Sequence, residues 1–447
     1  LKKIISDNKY WPIIMLAVPA SIEMVFQQVL GLIDNVFISH ISDEKLAAVG
    51  LCNQIYSLIL IIVAAIASGV GILIAQNYGK QDFETIKKII HDVLKVAVLG
   101  AIGLIVIFKV SIRNIVLFMG AEDLVIQYVE QYWNIVIFSL MCSVINSILG
   151  SILRAMNNTK TPLVANGVGL LTNTCLNYIL IFVAGMDIKG AAIATILSRL
   201  LILVLFVIHY RRIGLLSLQN MLMSTDRKLL QNIAMISIPI FIGELAWAIG
   251  SFMYNSFYTR IGTFAIVAYQ IVFSVEEIFI MFSFGFTVVG FSLVAQHLGK
   301  NEVDEAVQKS NLILNAGKIS AIIFGILLVI FTWTGVPMMY SDTSATTVAV
   351  AKIALSINAG IQIIKIINFI LGNGVLKSGG KTKNVMLVDT IATFLGLLFA
   401  FILAFYFKMG FWGVFAGKII EELIRYCLMT ALFKSRKWIQ SMEEAYT

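Results

Sequence analysis

Along most of this chain, apolar residues run on for twenty or more positions without the two-residue alternation of a half-buried strand. Polar residues gather in short clusters between the runs. Runs of that length predict α-helices that cross a bilayer, which takes about 20 residues at 1.5 Å each. Divided at charged or Gly/Pro-marked breaks, they give twelve segments, starting near residues 11, 46, 89, 128, 161, 190, 230, 264, 311, 346, 384 and 411. A membrane barrel would need alternating strands, so helices are expected. Composition agrees, with 59% of 447 residues hydrophobic and only 13% charged, far from the balance of a soluble domain. The expected fold class is an all-α integral membrane protein with twelve transmembrane helices.

The polar clusters repeat. "LIAQNYGKQDFETIKK" from 73 returns as "LVAQHLGKNEVDEAVQK" from 293, so that Ala75, Gln76, Gly79 and Lys80 meet Ala295, Gln296, Gly299 and Lys300 at an offset of 220. Pro19 and Pro239, Asn35 and Asn255, and Phe37 and Phe257 keep that offset. "ILRAMNNTKTPLVAN" from 152 meets "VLKSGGKTKNVMLVD" from 375 at an offset of 223, an insertion of three residues. Each half then holds six spans, an even number, so the halves are parallel repeats about an axis along the membrane normal. The expected organisation is an N-terminal six-helix bundle over 1–210, a cytoplasmic connector over 211–229 ("RRIGLLSLQNMLMSTDRKL"), and a C-terminal bundle over 230–447. Six plus six in parallel is a transporter architecture, in which bundles rock around a bound substrate.

The formal net charge of +8 could suggest a nucleic-acid partner, but the cations are placed otherwise. With both termini in the cytoplasm, most fall on that side, among them Lys2, Lys3, Lys80, Lys87, Lys88, Arg211, Arg212, Lys377, Lys381, Lys383, Lys434 and Arg436. Lys45, Lys109, Arg113, Lys189, Arg260 and Lys408 fall opposite, which is the asymmetry of the positive-inside rule. The expected setting is a cell membrane, with the lipid bilayer as partner, no nucleic acid, and a monomeric state. Cys52, Cys142, Cys175 and Cys427 lie within apolar spans without CxxC spacing, so they predict neither disulfides nor a zinc site.

Ionisable and amide residues inside the spans carry the candidate chemistry, because a charge at the bilayer centre costs about 2.5–3.5 kcal/mol on insertion scales. On the first span Glu23, Gln27 and Asp34 are spaced by 4 and 7 and share one side. On the fifth, Asn166, Asn173 and Asn177 are spaced by 7 and 4. On the seventh, Glu244, Ser251 and Asn255 share a face. Glu276 and Glu277 are adjacent, about 100° apart on a helix, so one cavity cannot receive both. Glu277 continues the face of Gln270 and Ser274 and is the preferred candidate. Lys365 shares a face with Asn358 and Gln362; a neutralising carboxylate is expected beside it, with an anionic or zwitterionic substrate as the alternative. Lys418, Glu421, Glu422 and Arg425 stand at i, i+3 and i+4 spacings that favour local ion pairs.

"VPASIEMVFQQVLGLIDNVFISHISDEKLAAVGL", "GFTVVGFSLVAQHLGK" and "LKSGGKTK" resemble the corresponding stretches of multidrug and toxic compound extrusion (MATE) transporters. The resemblance covers nearly the whole chain, whereas "YGKQDFETIKK" does not fit the loop signature of the major facilitator superfamily. It implies cation-coupled export, by alternating access, of amphipathic and mostly cationic compounds, driven by Na+ or H+ influx. It also implies that Asp34 takes part in cation coupling, that Asn173, Asn177 and Thr195 match the oxygen ligands of a sodium site beside it, and that Glu244 matches a coupling glutamate of one branch. Asn177 departs from that pattern, keeping an oxygen where the family has a carboxylate. The substrate cavity is expected between the bundles, bordered by Glu23, Gln27, Asn255, Glu277 and Lys365, with Met24, Phe26, Trp247, Met253 and Tyr254 as shape-tolerant contacts. A lipid-linked precursor flippase of the same superfamily is the alternative function.

No enzyme is expected. "GNGVLKSGGKT" places its glycine one residue too far from the GKT of a phosphate-binding loop and follows a span. His40, His91, His209 and His297 lie at span ends without HExxH spacing. No cofactor is expected beyond the coupling ion.

Overall fold

The computed structural model describes residues 9–39, 42–216, 225–341 and 343–439. Among them there are thirteen α-helices and no strand. The helices are α1 (Trp11–Ser39), α2 (Asp43–Gly79), α3 (Phe83–Phe118), α4 (Asp123–Val136), α5 (Ser139–Ala155), α6 (Lys160–Asn177), α7 (Asp187–Arg212), α8 (Arg227–Ile261), α9 (Thr263–Gly299), α10 (Val303–Met339), α11 (Ala345–Phe369), α12 (Thr382–Phe401) and α13 (Phe411–Lys434). Among the described residues nine helices are long and apolar enough to cross a membrane, and α4 with α5, bent by 53° at a short break, make a tenth if they act as one span; with α1 and α13 the count is consistent with the twelve spans that the hydropathy pattern predicts. The last, α13, holds Lys418, Glu421, Glu422 and Arg425 in its middle. Its tolerance of these charges is explained by their pairing, described below.

The residues cluster into two compact units, one of Leu1–Met24 with Ile236–Thr447 and one of Val25–Met235. Both α1 and α8 contribute to each. In the first unit, the Ser21 hydroxyl donates to the Phe282 carbonyl at 2.7 Å and accepts from the Gly285 N–H at 3.0 Å, fastening the start of α1 to α9.

The sequence repeat is written into the backbone. Gln81 and Asn301, 220 residues apart, both adopt positive φ (61° and 60°) after a Gly-Lys pair. In both loops the closing N–H groups reach back to matching carbonyls, Asp82 to Asn77 at 3.0 Å and Glu302 to His297 at 2.9 Å. This left-handed turn satisfies carbonyls that a helix end would leave bare. The later offset of 223 also holds, since Asn157 and Gly380, Gly185 and Lys408, and Asp187 and Gly410 all have positive φ. π-Helical turns end α6 (Tyr178–Val183) and α12 (Ile402–Tyr406), and a third, Ile370–Leu376, extends α11.

Lipid supplies no hydrophobic drive between helices, so close packing of small residues must hold them. In α13, Gly413 and Gly417 form a small-xxx-small stripe against Ala400 and Ala404; a Cβ on Gly417 would lie 2.4 Å from that of Ala400. The equivalent stripe in the other unit is Gly190 and Ala194 of α7, where a Cβ on Gly190 would lie 2.9 Å from the Leu180 carbonyl carbon. Large side chains on the outer faces, such as Leu99, Val110, Phe252 and Phe394, stay open, as lipid-facing residues do.

Candidate functional site

Three buried polar clusters stand out, one in the unit of Val25–Met235 and two in the other. In the unit of Val25–Met235, Asn173 and Asn177 lie one turn apart on α6, each 1% exposed. The Asn177 amide donates to Asn173 Oδ1 at 3.0 Å, and the Asn173 amide reaches Ser198 Oγ of α7 at 3.5 Å. Ser198 in turn donates to the Thr195 carbonyl at 3.0 Å, while the Thr195 hydroxyl donates to the Ala191 carbonyl at 3.0 Å. Asn173 and Asn177 of α6 are thus joined to each other and, through Ser198, to α7, while the Thr195 hydroxyl is bonded within its own helix. Ser198, which sequence reading passed over, belongs with them; its signal was its position three residues beyond Thr195, on the same face. Asp34 falls in α1, but its side chain lies outside the described residues. Phe26 packs on α6, where a Cβ on Gly167 would meet its ring at 3.2 Å, and Gln27 is exposed.

In the other unit, Glu23 is fully buried and Met24 half-buried. Glu276 of α9, 8% exposed, ion-pairs with Lys365 of α11 and accepts from the Asn358 amide at 2.8 Å. Lys365 has the carboxylate neighbour expected for it, and that neighbour is Glu276; Glu277 is only half-buried. The reason is orientation: the Ile271, Val272, Val275 and Glu276 side of α9 faces the helical core, and Glu277 is turned about 100° away.

Arg425 of α13 organises a second network. Its guanidinium donates to Glu421 at 2.7 Å, Glu422 at 3.0 Å, Asp389 of α12 at 3.1 Å and the Thr393 hydroxyl at 3.2 Å. Glu421 also pairs with Lys418 at 3.1 Å, and Glu422 accepts from the Asn368 amide of α11 at 2.9 Å. Local i+3 and i+4 pairs on α13 are present as the spacing predicts, but the same arginine ties them to α12. The planar fork of arginine suits this, because one guanidinium can serve several carboxylates. Glu244, on the seventh pass, is half-buried and lies 3.5 Å from the Lys377 ammonium, which also donates to Asn373 at 2.6 Å.

The other candidates on α8 are dispersed. Asn255 accepts from the Gln270 amide at 3.0 Å and donates to the Ser251 carbonyl at 2.9 Å. Tyr254 is buried, with the Lys418 ammonium 4.9 Å from its ring centroid, whereas Trp247 and Met253 are exposed. Chemically, one unit offers neutral oxygens on a small interhelical face, and the other offers carboxylates already matched to bases.

The MatE family model matches this chain twice, over residues 19–179 and 239–402, so the two matches start at the repeated prolines. A probable multidrug resistance protein NorM of Thermotoga maritima is 25% identical over 437 residues, covering 95% of this chain and 92% of that protein. The multidrug export protein MepA of Staphylococcus saprophyticus is 20% identical over 419 residues, covering 93% and 91%. The solved MATE transporter VcmN of Vibrio cholerae has the same fold, with a TM-score of 0.90 at 18% identity over 97% of this chain and 98% of that one. With the family model matched across both halves and the twelve-pass helical fold shared, this chain belongs to the MATE family of membrane transporters.

Proposed function

We propose that the protein is a secondary active exporter of amphipathic drug-like compounds, driven by inward movement of Na+ or H+ through a coupling site formed by Asp34, Asn173, Asn177 and Thr195. The single observation that supports this best is the Asn177–Asn173–Ser198 chain, two amides 1% exposed and linked at 3.0 Å, reaching α7 three residues beyond Thr195. Buried amide and hydroxyl oxygens are hard ligands of the kind an alkali cation requires, and a carboxylate beside them supplies the charge. The names of the relatives, multidrug resistance and multidrug export proteins, support the substrate class. Glu244 is the second coupling candidate, but its nearness to Lys377 makes it less available to a cation.

The test is efflux from proteoliposomes under an imposed sodium or proton gradient. Asp34→Asn should leave the protein folded and able to bind drug while abolishing gradient-driven efflux. Ser198→Ala should loosen the Asn173 amide and raise the cation concentration needed for half-maximal efflux. Asn177→Asp should lower it, by adding a second charge. Efflux by Asp34→Asn at the wild-type rate under both gradients refutes the assignment and passes the role to Glu244.

A further inference from the structure

One face of α11 carries Asn358, Gln362, Lys365 and Asn368, spaced by 4, 3 and 3, all buried. Three of them have partners across the helix interface. Asn358 donates to one oxygen of Glu276, Lys365 ion-pairs with the other, and Asn368 donates to Glu422. Gln362 sits a turn from Asn358 and a turn from Lys365, is 0% exposed, and neither its Nε2 nor its Oε1 has a hydrogen-bond partner among the described residues. A buried amide with both ends unmet is costly and rare in native structures, and it is most simply understood as a donor and an acceptor held for a ligand. Two residues beyond Asn368 the helix widens into the π-helical turn Ile370–Leu376, a distortion that recurs at functional sites.

We propose that this face binds the head group of a zwitterionic substrate, with Glu276 receiving its cation, Lys365 its carboxylate, and the Gln362 amide completing either contact. The proposal rests on the exporter reading above and narrows its substrate class. Charge balance carries the argument. A ligand that is only a cation must displace Lys365 from Glu276 and strand a buried ammonium, and one that is only an anion strands the carboxylate. Uncompensated buried charge is the expensive outcome in both cases. A zwitterion exchanges one internal pair for two intermolecular pairs and strands nothing. The neighbouring carboxylates offer a lone cation no better place, since Asp389, Glu421 and Glu422 are each held by Arg425.

The probes are a carboxy-rhodamine, in which a delocalised cation and a free carboxylate share one amphipathic frame, and its methyl ester, which keeps the cation alone. Equilibrium binding to the full chain in detergent, read by fluorescence polarisation, gives the ratio of the two dissociation constants. The wild type should favour the free acid by at least about tenfold. Lys365→Met should invert the preference by leaving Glu276 to the cation. Should that variant fail to fold, the paired change Glu276→Gln with Lys365→Met removes both charges together, the tolerated way to neutralise a buried pair, and should bind the two dyes within about twofold of each other. Gln362→Leu should weaken the free acid at least as much as the ester. Equal binding by the wild type, preference for the ester, no binding of either dye, or a wild-type ratio in the doubly neutral protein overturns the proposal. Gradient-driven efflux is measured separately: its absence with the binding ratio intact overturns the exporter reading and leaves the site, and efflux with a flat ratio does the reverse.

Discussion

Removing the guanidinium of Arg425 tests whether α13 can keep its charges inside the bundle. Arg425→Met keeps much of the side-chain volume and deletes four contacts, to Asp389, Glu421, Glu422 and Thr393. The three carboxylates do not lose equally. Glu421 retains Lys418 at 3.1 Å and Glu422 retains the Asn368 amide at 2.9 Å, but Asp389 has no other ion pair among the described residues. Breaking a buried pair by removing one partner costs about 3–5 kcal/mol. With two of the three acids still partly compensated, the whole substitution should fall in that range and not at three times it. Arg425→Lys keeps the charge but not the fork, and should cost about 1.5–3 kcal/mol, the value of charged hydrogen bonds lost. Adding Asp389→Asn to Arg425→Met should recover part of the loss, because the most exposed consequence, an unpaired carboxylate, is gone. The assay is equilibrium unfolding of the purified protein in mixed micelles, run as a double-mutant cycle in which the coupling between the two positions is read directly. If Arg425→Met unfolds within about 0.5 kcal/mol of the wild type, as surface substitutions do, the network does not hold the helix and the reasoning fails.

Gly417→Leu should separate α12 from α13, since even a Cβ would lie 2.4 Å from that of Ala400; a loss of about 1–3 kcal/mol or more by the same unfolding assay is expected, with Gly417→Ala milder. Asp82 caps α3 through the Thr85 hydroxyl at 2.6 Å and the Thr85 N–H at 3.0 Å, and these bonds, the hydroxyl first, hold its carboxyl below the usual range. Asp226 is likewise lowered, first by the hydrogen bond from Lys88 and then by the Leu229 N–H. A lowered folded-state pKa means the stabilisation is present above the unfolded value, about 3.9, and lost as pH falls through the folded one. Amide protection in the first turn of α3, exchange taken relative to the intrinsic rate at each pH, should therefore fall below about pH 4, and Asp82→Ala should show that loss of protection at neutral pH with a loss of about 1 kcal/mol.

Much of this architecture was legible in the chain because its causes are local. Span length follows from continuous apolar runs, and the twelve passes were countable from them. The repeat was visible as matching words 220 and 223 residues apart, and the same offsets reappear in the φ angles of Gln81 and Asn301 or Gly185 and Lys408. Helical spacing also put Asn173 with Asn177, and Asn358 with Gln362 and Lys365, on common faces, since side-chain direction along a helix depends only on its period.

Which residue answers which across helices was not local, and only the tertiary structure decided it. Period alone separates Glu276 from Glu277 by about 100° but cannot say which of the two looks inward; packing turned Glu276 toward Lys365, 89 residues away. The i+3 and i+4 spacings of α13 predicted pairs within that helix, yet the same Arg425 reaches Asp389, 36 residues away, and binds α12 to α13. Ser198 joined the Asn173 amide because α6 and α7 are adjacent, and Gln362 kept its amide unmatched because the residues buried around it bring no partner. A buried charge or amide needs a partner somewhere, and the sequence determined that need; the packing of helices determined who meets it.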